Sequence, residues 1–133
     1  MAEPKTQKTK ASVPAFIAAV EDETRRKDAK TVDKMLRGIT GEKPAMWGPT
    51  IIGYGEYEGA TGKWPRIGFS PRKANLVLYM MDGYENEPQM KKLGKHKTGR
   101  SCLYINKLAD VDEAVLHQLA AKSWKAMAKK YPE

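Results

Sequence analysis

From residue 46 to residue 81 the chain reads MWGPTIIGYGEYEGATGKWPRIGFSPRKANLVLYMM, a block dense in glycine, aromatic and β-branched residues. Short β-rich runs broken by Gly and Pro read as strands joined by tight turns, so this block limits the fold more than any other stretch. Ile51, Ile52, Tyr54 and Tyr57 predict one strand, residues 59–63 a turn, residues 67–70 a second strand and residues 75–81 a third. The links are too short for the helical crossover that parallel pairing needs, so each strand is expected to pair antiparallel with the one before it. Gly48, Gly53, Gly55, Gly59, Gly62 and Gly68 lie close together, as at bulges, bends or close backbone approaches, and make the block a candidate pocket wall.

Helical patterns flank the block. Ser12 is a candidate N-cap with Pro14 in the first turn, and Phe16, Ile17 and Val20 follow at helical spacing. After a charged run at residues 21–30, Ala29, Val32, Met35, Leu36 and Ile39 predict a second amphipathic helix, stopped by Gly38, Gly41 and Pro44. Beyond the third strand, residues 85–93 predict a short helix with Tyr84, Met90 and Leu93 on one face, then a basic loop at residues 95–100. Residues 102–105 form a fourth strand. Asp110 or Asp112 caps a last helix carrying Val115, Leu116, Leu119, Ala120, Trp124 and Met127. Strands grouped in the middle with helices at the ends predict an α+β two-layer domain: an antiparallel sheet of about four or five strands packed by N- and C-terminal helices. Residues 1–11 show no apolar periodicity and are expected to form a disordered tail, leaving residues 12–133 as a single domain.

Charge narrows the functions. Lys and Arg number 24 against 16 Asp and Glu, a formal excess of +8, which favours anionic ligands or acidic partners. The excess gathers in KKLGKHKTGR at residues 91–100 and at Lys122, Lys125, Lys129 and Lys130, and such blocks are commonly solvated faces. No apolar run approaches the roughly 20 residues that span a bilayer, so no membrane role is expected. The first ten residues lack the apolar segment of a secretory signal, and the lone Cys102 permits no internal disulfide; together they predict a cytoplasmic protein.

Enzymatic signatures are scarce. There is no Gly-x-Ser-x-Gly elbow, phosphate loop or dinucleotide fingerprint, and Gly53-Tyr54-Gly55 lacks the third glycine and the following helix. His96, His117 and Cys102 show no metal-ligand spacing, and Cys102, within an apolar strand, reads as a buried structural thiol. Glu21, Asp22 and Glu23, with the smaller pair Glu85 and Glu87, read as solvated faces rather than cation ligands. The segment 68–73, GFSPRK, is more suggestive, because Pro71 fixes a turn that offers Arg72 and Lys73 to a carboxylate or phosphate. Trp47 and Tyr54 are the candidate apolar wall, and Lys95, His96, Lys97 and Arg100 a mobile basic rim.

Several motifs carry a resemblance: MWGP at residues 46–49, IGYG at 52–55, IGFSPRK at 67–73 with Leu76 to Tyr79, LGKHKTGRSCLYI at 93–105, and Asp110-Val111-Asp112. Over roughly residues 12–131 the chain resembles the YdhG-like family of domains of unknown function. That resemblance implies a small two-layer α+β domain with an antiparallel sheet, similar to secretion-chaperone-like folds. One branch of the family is described as a frataxin-like intracellular iron chaperone, which makes iron carriage the alternative function; Glu21, Asp22 and Glu23 are its most testable cluster. The main expectation is a non-catalytic domain that binds a small anionic molecule or an acidic protein partner, with no cofactor. Iron enters only under the alternative. Weak binding of nucleic acid through the basic surface is a second alternative, disfavoured because no RNA-binding signature is present.

Overall fold

A computed structural model describes residues 8–59, 62–80, 84, 87–99 and 102–132. Helices α1 (Val13–Ala18) and α2 (Glu23–Thr40) precede the strands β1 (Pro44–Trp47), β2 (Ile51–Tyr54), β3 (Tyr57–Gly59), β4 (Gly62–Trp64), β5 (Ile67–Pro71) and β6 (Leu76–Met80). A 3-10 turn (Pro88–Lys92), β7 (Lys97–Gly99), β8 (Cys102–Ile105) and helix α3 (Glu113–Lys130) complete the order. Six strands form one sheet in the order β1-β2-β5-β6-β8-β7, with every neighbouring pair antiparallel. The fold is therefore α+β and two-layered, as the element order predicts.

Capping explains where the helices begin. The Ser12 hydroxyl accepts from Ala15 N at 3.2 Å, and the Asp22 carboxylate accepts from Arg25 N at 2.7 Å. Asp112, not Asp110, caps α3, accepting from Ala114 N and Val115 N. Asp22 starts α2 earlier than the apolar pattern suggests, so the charged run is helix for two further turns. The inward stripe of α2 is Arg25, Ala29, Val32 and Leu36, an arginine in phase with three apolar residues. Gly41, in the left-handed conformation at φ 69°, closes the helix.

The sheet is wider than the expected four or five strands because two short edge strands escape a propensity reading. Pro44 leads β1 and lysine leads β7, both features that blunt an exposed edge. Lys97 thus belongs to a strand rather than to a loop. Lys8 forms a bridge with Trp47, and Thr9 N donates to Met46 O at 2.8 Å, so residues from the expected tail lie along the β1 edge. Tyr57 does not continue β2. Gly55, at φ 65°, ends that strand, and β3 and β4 form a separate hairpin where a simple turn is predicted. The helix expected over residues 85–93 is only the 3-10 turn, since Pro88 supplies no N–H and Glu87 makes no side-chain cap; residues 85 and 86 lie outside the described residues.

Alternate strand residues face the helices. Ile52, Ile67, Phe69, Leu76, Leu78, Met80, Leu103 and Ile105 share one buried cluster with Val32, Leu36, Leu116 and Leu119. Tyr54 joins it, fully buried, and its hydroxyl donates to Asp33 at 2.5 Å. Burial first and that hydrogen bond second hold the Tyr54 hydroxyl far above the ordinary tyrosine value of 10.0, so it stays neutral. At the far end of α3, Arg66 is 4% exposed and donates to the carbonyls of Glu56 (2.8 Å), Met127 (3.2 Å) and Tyr131 (2.6 Å), tying the β3–β4 hairpin to the helix terminus. Among the described residues no helix is long and apolar enough to cross a membrane.

Candidate functional site

Three connections meet at one end of the sheet: the β1–β2 turn, the β5–β6 turn and the segment leaving β8. The α1–α2 junction lies over them. Together they enclose a cleft of about 870 Å³. Thr50, Ser70 and Pro71 form its sheet side, and the Ser70 hydroxyl donates to Thr50 O at 2.6 Å, which locks two of the turns together. Phe16 of α1, with Ala19 and Val20 just after it, supplies an apolar wall. Arg25, Arg72, Lys73 and Lys107 line the same space, against the carboxylates of Glu21 and Asp22.

Arg25 sets the chemistry. It is 8% exposed, and its Nη1 donates to Asn106 O, linking α2 to the chain leaving β8. Its Nε is buried with no hydrogen-bond partner among the described residues. No described carboxylate forms an ion pair with it; the acidic residues Glu23 and Asp33 of the helix pair instead with Lys27 and Arg37. A buried guanidinium without a counter-charge is costly, and an anion from outside would relieve that cost. The N-terminus of α2 adds its partial positive charge on the same side, with Thr24 also lining the cleft.

The residues singled out in the sequence separate. Arg72 and Lys73 reach the cleft, both exposed, but the Arg72 guanidinium turns away from it. Its Nη2 donates to the Tyr79 hydroxyl at 2.5 Å, and its Cζ stands 5.9 Å from the centre of that ring. Trp47 and Tyr54 do not form its wall. Trp47 is 1% exposed and lies on the helix-free face of the sheet against Gly53 and Pro65, where any Cβ on residue 53 would meet its ring at 2.5 Å. Tyr54 faces the core. Lys95, His96 and Lys97 do not line the cleft either; they lead into β7 at the opposite edge of the sheet from β1, with His96 Nδ1 2.7 Å from Gly94 O. Arg100 lies outside the described residues.

No family model, curated protein or solved structure matches this chain.

The carboxylate run at the start of α2 does not converge. Asp22 caps the helix, Glu23 pairs with Lys27 at 3.2 Å, and Glu21 stands at the cleft. Glu87 accepts from Lys122 at 2.7 Å, while Glu85 is outside the described residues. Among the described residues no group of three or more His, Cys, Asp or Glu is placed to hold a metal ion. Cys102 is half-buried rather than buried, on the helix-free face, and His117 is exposed on α3. Arg25 and Lys107, which line the cleft, are not among the residues that the sequence motifs point to. The signal for Arg25 is its position four residues ahead of Ala29, on the inward stripe of α2; Lys107 carries no such signal.

Proposed function

We propose that this chain is a non-catalytic, YdhG-like binding domain whose cleft takes a small molecule bearing a carboxylate or phosphate. The observation that carries this reading is the buried Arg25 guanidinium, without a counter-charge among the described residues, at a cleft that also offers Lys73 and Lys107. A space of about 870 Å³ lies within the roughly 300–1,000 Å³ of small-molecule sites. Phe16, Val20 and Pro71 suit a ligand with an apolar part behind its anionic head, and a walled cleft suits a small molecule better than an acidic protein surface, which calls for a broad face. Iron carriage finds less support, because Glu21, Asp22 and Glu23 are directed to three different tasks.

Calorimetric titration with phosphomonoesters and carboxylates of graded apolar length tests the reading. Affinity is expected to rise with apolar length up to the size of the cleft and to fall in Lys107→Gln. An affinity that ignores both chain length and Lys107 would point to unspecific attraction by the net charge.

A further inference from the structure

The helix-free face of the sheet carries a second arrangement that the cleft does not use. Register places Val77, Tyr104 and Lys97 in one row across β6, β8 and β7, and Gly68, Tyr79, Cys102 and Gly99 in the next. Tyr79 and Tyr104 are therefore diagonal neighbours on adjacent strands, ~7–8 Å apart and on the same side. Both rings are half-exposed, whereas the residues alternating with them are buried under the helices. A Cβ at position 99 would meet the Tyr104 ring at 3.1 Å, so the absence of a side chain at Gly99 lets that ring lie along β7 with its other side outward. Arg72 stands over Tyr79, and the exposed Lys97 is paired with Tyr104 in the register. Two half-exposed rings beside the buried Val77 on the helix-free face, bracketed by cations in a chain of net charge +8, match the chemistry of an unpaired polynucleotide: bases to stack and phosphates to neutralise.

We infer that this face binds single-stranded nucleic acid, with Tyr104 and Tyr79 stacking on bases and Arg72 and Lys97 meeting the phosphates. The surface is distinct from the Arg25 cleft. Arg72 serves it through the guanidinium that is turned away from the cleft.

Fluorescence polarisation with labelled oligo(U) and oligo(dT) of about 12 nucleotides, beside a duplex of equal length, tests this at about 50 and 200 mM salt. Both single strands are expected to bind more tightly than the duplex, and the stronger of the two assigns the preferred sugar. Affinity should fall as salt rises. Tyr104→Ala should weaken binding by about tenfold, the scale of one lost base-aromatic stack, while Tyr104→Phe keeps the ring and stays near wild type. Arg25→Met, which alters only the cleft, should bind the oligonucleotides as wild type does, so failure here and failure of the cleft reading are separable. A duplex bound as well as the single strands, or a Tyr104→Ala variant that binds unchanged, would overturn the stacking surface. So would no polarisation change at low salt, or sedimentation as a dimer that Tyr104→Ala converts to a monomer, since the face would then belong to a second copy of the chain.

Discussion

Arg66 and Arg25 are both buried arginines, 4% and 8% exposed, and neither has a carboxylate partner among the described residues. Their surroundings differ in kind. Arg66 spreads its fork over three carbonyls, two of them at the end of α3, where a cation also complements the helix dipole. Arg25 reaches one carbonyl, leaves Nε without a partner and faces a cleft at the beginning of α2, where the dipole is unfavourable to a cation. A buried charge whose donors are used up holds structure together. One whose donors are left over, at an opening lined by further cations, is the feature on which the proposed anion site rests.

The largest effect that sharpens this contrast is expected at Arg66. Arg66→Met removes three hydrogen bonds and leaves helix-terminal carbonyls without donors, a loss of about 3 kcal/mol in urea unfolding. A loss below about 1 kcal/mol would break the contrast from the structural side. Arg25→Met should cost less than about 1 kcal/mol, because removal of the charge offsets the hydrogen bond lost to Asn106 O.

Tyr54 offers a third buried polar group, paired like Arg66. Its pKa is raised above the unfolded value of 10.0, so the stability it contributes is fully present below pH 10 and is lost as pH rises further, where the unfolded chain releases the proton first. Tyr54→Phe should cost about 1 kcal/mol at neutral pH and flatten the alkaline part of the stability curve. An unchanged alkaline slope in that variant would assign the loss to other groups, such as Tyr57, whose hydroxyl is also raised, by burial first and then by Tyr131. The smallest effect belongs to Arg72→Ala, whose exposed pairing with Tyr79 is expected to leave the unfolding midpoint within about 0.5 kcal/mol of wild type.

How much of this was legible before the structure depends on burial pattern. The central strands β2, β5, β6 and β8 follow from runs such as LVLYM and CLYI, whose β-rich side chains meet the hydrophobic core. The edges did not, since Pro44 and Lys97 are residues that propensity counts against a strand and that edges favour. The turn at Pro71 placed Lys73 at the cleft but gave no hint that Arg72 would fold onto Tyr79, a contact fixed only by the pairing of β5 with β6. In sequence Trp47 and Tyr54 read as a pocket wall, because aromatics beside glycines suit either a site or a core. Sheet register decides between them, sending Tyr54 to the helices and Trp47 to the other face. Arg25 is legible through its phase with Ala29, Val32 and Leu36 only once the charged run is read as part of the helix that Asp22 caps.

The most direct measurement compares melting of wild type and Arg25→Met in inorganic phosphate and in citrate against chloride at equal ionic strength. An anion bound only by the folded protein raises the midpoint with concentration, so wild type is expected to gain stability in phosphate or citrate while Arg25→Met, folded and near its own chloride midpoint, gains none. An equal gain in both proteins, or none in either across both anions, would contradict the assignment of Arg25 as the centre of an anion site.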